Sequence, residues 1–187
     1  MRKLISFIQK NISGKKVLLL FVLTNLIYAL MLTITIPGTM KFSNGMKLLD
    51  MMPMGYDFNY VIELLTSLGD VGRKIYLTNQ LPVDMIYPFL FGISYCFLFG
   101  YFLKKINRLK KPLIYLCLLP LIAGLFDYLE NIGIIIMLNN YTEITPFLVK
   151  TTSTFTIIKS IATSLYFISL VVLLIVFTVK KTNKKAS

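Results

Sequence analysis

Asp127, Glu130 and Asn131 stand at i, i+3 and i+4 within GLFDYLENIG, residues 124–133, in one of the most apolar regions of the chain. In a helix that spacing puts all three side chains on one face. Two carboxyl groups and a carboxamide together offer oxygen donors to a proton, a cation or a hard metal ion, and a carboxyl group kept protonated donates a hydrogen bond. An answering amine lies further on. Thr152, Thr156, Lys159, Thr163 and Tyr166 recur at helical steps and draw one polar stripe along an otherwise Ile, Leu and Val segment. Asp84, Tyr87 and Tyr95 fall near one face of another segment, and Thr24, Asn25 and Tyr28 add weaker polar groups from a third. The expected site is therefore Asp127, Glu130, Asn131, Lys159 and Asp84, lined by Tyr87, Tyr95, Thr156, Thr163, Tyr28 and Asn25. Lys159 is expected to pair with Glu130 or Asp127, the other carboxyl group being either neutral at pH 7 or matched by Arg73. No second acidic motif accompanies these residues, so neither a metal nor another cofactor is expected.

Those side chains need elements to hold them, and composition says which. The chain has 187 residues, 56% of them hydrophobic and 15% charged, which is membrane composition. A bilayer core of about 30 Å takes about 20 apolar residues per helical span. Four runs of that kind stand between charge clusters: Val17 to Ile36, Val83 to Leu103, Leu113 to Leu138 and Phe155 to Val179. The expected fold is all-α, a four-helix transmembrane bundle forming one domain over 1–187, because a backbone facing lipid must satisfy its own hydrogen bonds. The first run is too long for a signal-peptide core, and TITIPGTM after it lacks a small-x-small cleavage pattern, so it reads as a retained anchor. Before it, Leu4, Ile5 and Ile8 among basic residues fit either a short interfacial helix or a basic tail.

A formal charge of +12 would suggest nucleic acid in a soluble protein. Here its placement excludes that reading. Arg2, Lys3, Lys10, Lys15 and Lys16 precede the first run, Lys104, Lys105, Arg108, Lys110 and Lys111 separate the second from the third, and Lys180, Lys181, Lys184 and Lys185 follow the fourth, while none of the eight acids lies in those segments. The positive-inside rule then sets both termini and KKINRLKK in the cytoplasm of a cell-membrane protein, against anionic lipid. Cys96 and Cys117 both lie in apolar runs, without a CxxC pattern, and histidine is absent. Disulfide scaffolds, zinc sites, thiol nucleophiles and imidazole catalysis are thereby set aside.

Residues 37–82 form the sizeable connection, expected on the outer side. PGTMKFSNG reads as loop. Asp57 is expected to cap a helix carrying Phe58, Val61, Leu65 and Leu68 and ended by Gly69, and Asp70 to start a second helix that reaches Pro82. The apolar stripe fits a connector lying along the membrane or a cap over the bundle. Asp127 is expected near mid-membrane, with Glu130 and Asn131 in the outer half and Pro120 kinking the helix below them.

The ordered series LGDVGRKIY (68–76), DMIYP (84–88), DYLEN (127–131) and TIIK (156–159) resembles a pattern in uncharacterised small bacterial four-span integral membrane proteins. The resemblance covers the chain from Gly55 to the fourth run and implies topology, not chemistry. The architecture alone is also similar to the emopamil-binding and sigma-2 receptor superfamily, although the histidine of its isomerase members is missing here. Three functions stay open on the residues. One is a pocket for a lipid-like or amphiphilic molecule. Another is a membrane enzyme acting on lipid through carboxylate acid–base chemistry. The third is a structural, regulatory or resistance protein whose buried charges fix helix packing. Proton-coupled transport would call for a homo-oligomer, since no internal repeat is present.

Overall fold

The computed structural model describes residues 6, 12–109 and 112–186, with side chains up to residue 183. The segment carrying Leu4, Ile5 and Ile8 lies outside the described residues. Among the described residues all regular structure is helical. Helix α1, Gly14–Leu30, continues through a wide π-helical turn at Met31–Thr35 into α2, Ile36–Met40. After a short 3₁₀ turn at Leu49–Met51 comes α3, Phe58–Ile75, which passes through a second wide turn, Tyr76–Gln80, into α4, Leu81–Lys105. A 3₁₀ stretch at Leu113–Leu118 leads into α5, Leu119–Asn139, and α6 runs over Pro146–Ala186. Four stretches are long and apolar enough to cross a membrane: Gly14–Met40, Phe58–Lys105, Leu113–Asn139 and Pro146–Asn183. Each contains one of the expected runs.

The prolines bear on two departures from expectation. PGTMKFSNG is not loop throughout, because the helix continues to Met40 before the chain turns at Lys41–Gly45. Pro37 has no N–H to donate, and the wide turn just before it, in which Ile36 donates to the Met31 carbonyl, absorbs the irregularity. Pro120 does not kink a regular helix. It sits in the first turn of α5, where a missing N–H is no loss. Pro88 lies inside α4, and its consequence belongs to the site.

Asp57 caps α3 as expected, its carboxylate accepting from the Tyr60 N–H at 2.8 Å. At Gly69 the backbone enters the left-handed region (φ 59°) and breaks the helix. The break turns the stripe Val61, Leu64, Leu65 and Leu68 inward, where all four are buried with Leu48, Leu49, Ile134, Met137 and Val149. Residues 41–68 thus pack across one end of the long helices as a cap. Lys15, Lys16, Lys104, Lys105 and Lys180 mark the opposite, basic end. Near it a second apolar core gathers Phe91, Tyr95, Phe99, Cys117 and Tyr166. Cys96 and Cys117 are buried there as free thiols.

The long helices pack in a row: α1 against α4, α4 against α5, and α5 against α6, with a lesser contact between α4 and α6. Helices α1 and α6 are not a packed pair. A cleft remains between them.

Candidate functional site

Helices α4 and α5 come close because their facing positions are small. A Cβ on Gly124 would stand 2.7 Å from the Pro88 carbonyl oxygen, too near for any other residue. Pro88, lacking an N–H, also leaves the Asp84 carbonyl without its usual helical donor. The Asn131 amide of α5 supplies one, donating to the Asp84 carbonyl oxygen at 3.2 Å. Asn131 therefore repairs a break in the neighbouring helix, while its own Oδ1 is buried with no partner among the described residues.

One turn from Asn131, α5 presents Asp127 and Glu130 to Lys159 of α6. The amine donates to Asp127 Oδ1 at 3.2 Å and forms an ion pair with Glu130 Oε2. Glu130, 0% exposed, also accepts from the Thr156 hydroxyl at 2.9 Å. The i, i+3 carboxylates on α5 and the i, i+3 Thr–Lys pair on α6 thus meet face to face, as the two polar stripes predict. Tyr56 of the cap has its hydroxyl buried beside this cluster. Burial first, and the negative charge of Glu130 second, raise its phenol above the ordinary range.

The same cluster borders a cavity of about 670 Å³. Tyr28 and Asn25 line it from α1, Asp84, Tyr87 and Tyr95 from α4, Asp127 from α5, and Lys159 and Thr163 from α6. Tyr28 stacks on Tyr87 with ring centres 5.4 Å apart. The Tyr95 hydroxyl donates to Asn25 Oδ1 at 3.3 Å, and the Tyr166 hydroxyl donates to the Tyr95 carbonyl at 2.8 Å, which fixes the α4 wall from both sides. Asp84 is 3% exposed and Asp127 7%. Glu130, Asn131 and Thr156 stand behind the cavity wall in the helix contacts. The expected residues therefore divide into a group that faces space and a group that faces protein.

Arg73 belongs to neither group. It donates to the Leu65 carbonyl at 2.6 Å, pairs with Asp70 and lies over the Tyr141 ring at 4.0 Å. The helix end at Gly69 leaves carbonyls without donors, and the guanidinium satisfies one of them.

Sequence reasoning passed over Asp50. It lines the capped end of the cavity with Met51 and Pro53. Its carboxylate accepts from the Tyr76 hydroxyl at 2.8 Å and from the Gln80 amide at 3.0 Å, and the Thr35 hydroxyl donates to Gln80 Oε1. The readable signal was an acid set among Leu48, Leu49, Met51 and Met52, a polar residue inside a short apolar run. Ser160, Ser164, Phe91 and Phe167 also line the cavity. Both serines share a side of α6 with Lys159 and Thr163.

Among the described residues no three His, Cys, Asp or Glu side chains are grouped to hold a metal ion. What the arrangement offers is a hydrogen-bonding and charged end joined to aromatic and aliphatic walls. In comparisons with known proteins, the chain matches no family model, no curated protein and no solved structure.

Proposed function

We propose that this is a multi-pass membrane protein of the cell membrane that binds a lipid-like amphiphile in the cavity between α1 and α6. The observation that carries the reading is the cavity itself. Its volume, about 670 Å³, falls within the range of small-molecule sites, which are mostly apolar with a few placed polar groups. Its charged residues, Asp50, Asp84, Asp127 and Lys159, lie toward the capped end, and Phe91, Tyr95 and Phe167 line the part nearer the middle of the bundle together with the uncharged Asn25, Thr163 and Ser164. An amphiphile has that same division.

The membrane setting rests on the four long apolar helices and on their outward surfaces. Leu18, Leu19, Leu26 and Ile34 on the first, and Ile161, Ile168, Val172 and Ile175 on the last, are largely exposed. In water such faces would aggregate; in a bilayer they meet acyl chains. The basic end is cytoplasmic by the positive-inside rule, which puts the cap and the cavity in the outer half. The unpacked side between α1 and α6 then faces lipid.

The test is to purify the full chain in a mild maltoside detergent and identify bound molecules by native mass spectrometry. The wild type is expected to carry an amphiphile. Ser164→Trp, a change at an exposed cavity-lining position without a hydrogen bond to lose, is expected to fold and to lose it. An empty wild type that is monodisperse and stable, or a Ser164→Trp variant as fully loaded as the wild type, overturns the reading.

A further inference from the structure

We infer that the amphiphile is a cation, with an alkylammonium head against the carboxylates at the capped end, and that it enters sideways from the bilayer between α1 and α6. This rests on the amphiphile-binding reading and adds the charge and the route.

The charge follows from an inventory of the cavity. Asp50, Asp84 and Asp127 line it, with Lys159 as the one basic side chain among its lining residues. That amine is already committed, since it lies between Asp127 and Glu130. Asp50 is held by neutral donors, the Tyr76 hydroxyl and the Gln80 amide. Asp84 has less still. At 3% exposure it borders the cavity, and among the described residues no hydrogen bond or salt bridge reaches its carboxylate, since Asn131 takes its backbone carbonyl instead. A carboxyl group so placed holds a proton or needs a counter-charge, and a bound cation supplies that charge and takes the proton's place.

The chemistry of the walls selects the class of that counter-charge. A phosphate or sulfate head would meet three carboxyl groups and find only a shared lysine. An alkylammonium head would meet carboxylate oxygens beside Tyr87, one helical turn along α4 from Asp84 and an aromatic ring of the kind that attracts cations, while Phe91 and Tyr95 further along α4 line the part left to the tail. Tyr87 is already stacked on Tyr28 and close to Phe91, with ring centres 5.7 Å apart in the latter pair. The aromatic wall is therefore continuous.

The route follows from what is closed. At the capped end, Asp50 ties the cap to Tyr76 and Gln80, and Gln80 is tied in turn to Thr35 at the end of the first long helix. Helix α5 closes the back against both α4 and α6. The side left unpacked is the one between α1 and α6.

The experiment compares three probes of equal chain length on the full wild-type protein in neutral maltoside micelles: dodecyltrimethylammonium, dodecyl sulfate and a dodecyl glycol ether. Occupancy is read by native mass spectrometry across a concentration series. The expected result is that the ammonium probe binds at least about tenfold more tightly than either other probe, a difference of about 1.4 kcal/mol, and that the isosteric Asp84→Asn variant loses that preference. If the glycol ether or the sulfate binds as well as the cation, the cation proposal is overturned while the amphiphile site stands. If none of the three binds, both fall. Should Asp84→Asn not fold, the wild-type ranking decides alone. For the route, Leu32→Trp on the α1 side of the cleft is expected to slow uptake of the ammonium probe at least about tenfold with occupancy at saturation unchanged; unchanged uptake overturns sideways entry.

Discussion

Helix α6 meets its neighbours around the cavity in opposite ways. Toward α5 it is closed: Lys159 lies between Asp127 and Glu130, Thr156 bonds Glu130, and Glu130 has no exposed surface. Toward α1 it is open, and Tyr28, Asn25, Thr163 and Ser164 look across space. Both sides carry polar residues at helical spacing. On the closed side each charge has a partner on the facing helix, which fixes the rotation and register of α5 against α6. On the open side Asp84 borders the cavity, and among the described residues no hydrogen bond or ion pair reaches its carboxylate. The difference teaches that the polar residues of this bundle do two separate jobs: some hold helices together and others furnish a space.

The largest effect should come from breaking the closed side. Lys159→Met leaves two buried carboxylates without their cation and is expected to destabilise the protein by about 3 to 5 kcal/mol, read as a fall in thermal unfolding temperature in detergent. Adding Glu130→Leu should restore part of that loss, since a well-packed apolar pair often replaces a buried ion pair at no cost. A Lys159→Met variant as stable as the wild type would remove the distinction between the two sides.

A smaller effect sharpens the role of Asn131. Asn131→Ala removes the donor to the Asp84 carbonyl and is expected to cost about 1 to 3 kcal/mol. Pro88→Ala restores the N–H that the carbonyl lacks. In that background the cost of Asn131→Ala should shrink by about 0.5 kcal/mol or more, measured as a double-mutant cycle. Additive losses would mean that the amide does not serve the carbonyl.

The smallest stability change is expected on the open side. Ser164→Trp should shift stability by no more than about 0.5 kcal/mol, while it removes bound amphiphile. A large loss of stability from this substitution would show a side that is packed instead of open.

Much was legible in the residues. Apolar runs with no more than two charged residues each fixed the four long helices, because only a helix satisfies its own backbone while presenting apolar side chains all round. Spacing alone set Asp127, Glu130 and Asn131 on one face of α5, and Thr152, Thr156, Lys159 and Tyr166 on one face of α6, because the helical repeat leaves no freedom in which side chains share a side. The Asp57 cap and the stop at Gly69 were equally local, one a carboxylate near free N–H groups and the other a left-handed backbone.

What tertiary structure decided was which faces meet. Periodicity gives a helix its sides but not its neighbours, so no spacing announced that α1 and α6 stay apart. Nor did it announce that Asn131 serves a carbonyl orphaned by a proline 43 positions earlier in α4. Arg73 is the sharpest case. Its charge recommended it to the buried acids, but the carbonyls freed at Gly69 and the exposed Asp70 lay nearer, and local partners hold it at the cap. Asp50 went the other way, carried from a short connection to the cavity because Leu48 and Leu49 beside it are buried in the capped-end core. The sequence by itself determined the helices and the faces on which their polar groups lie; the packing of those helices alone decided which groups neutralise one another and which are left facing a cavity, because that depends on distances between segments far apart in the chain.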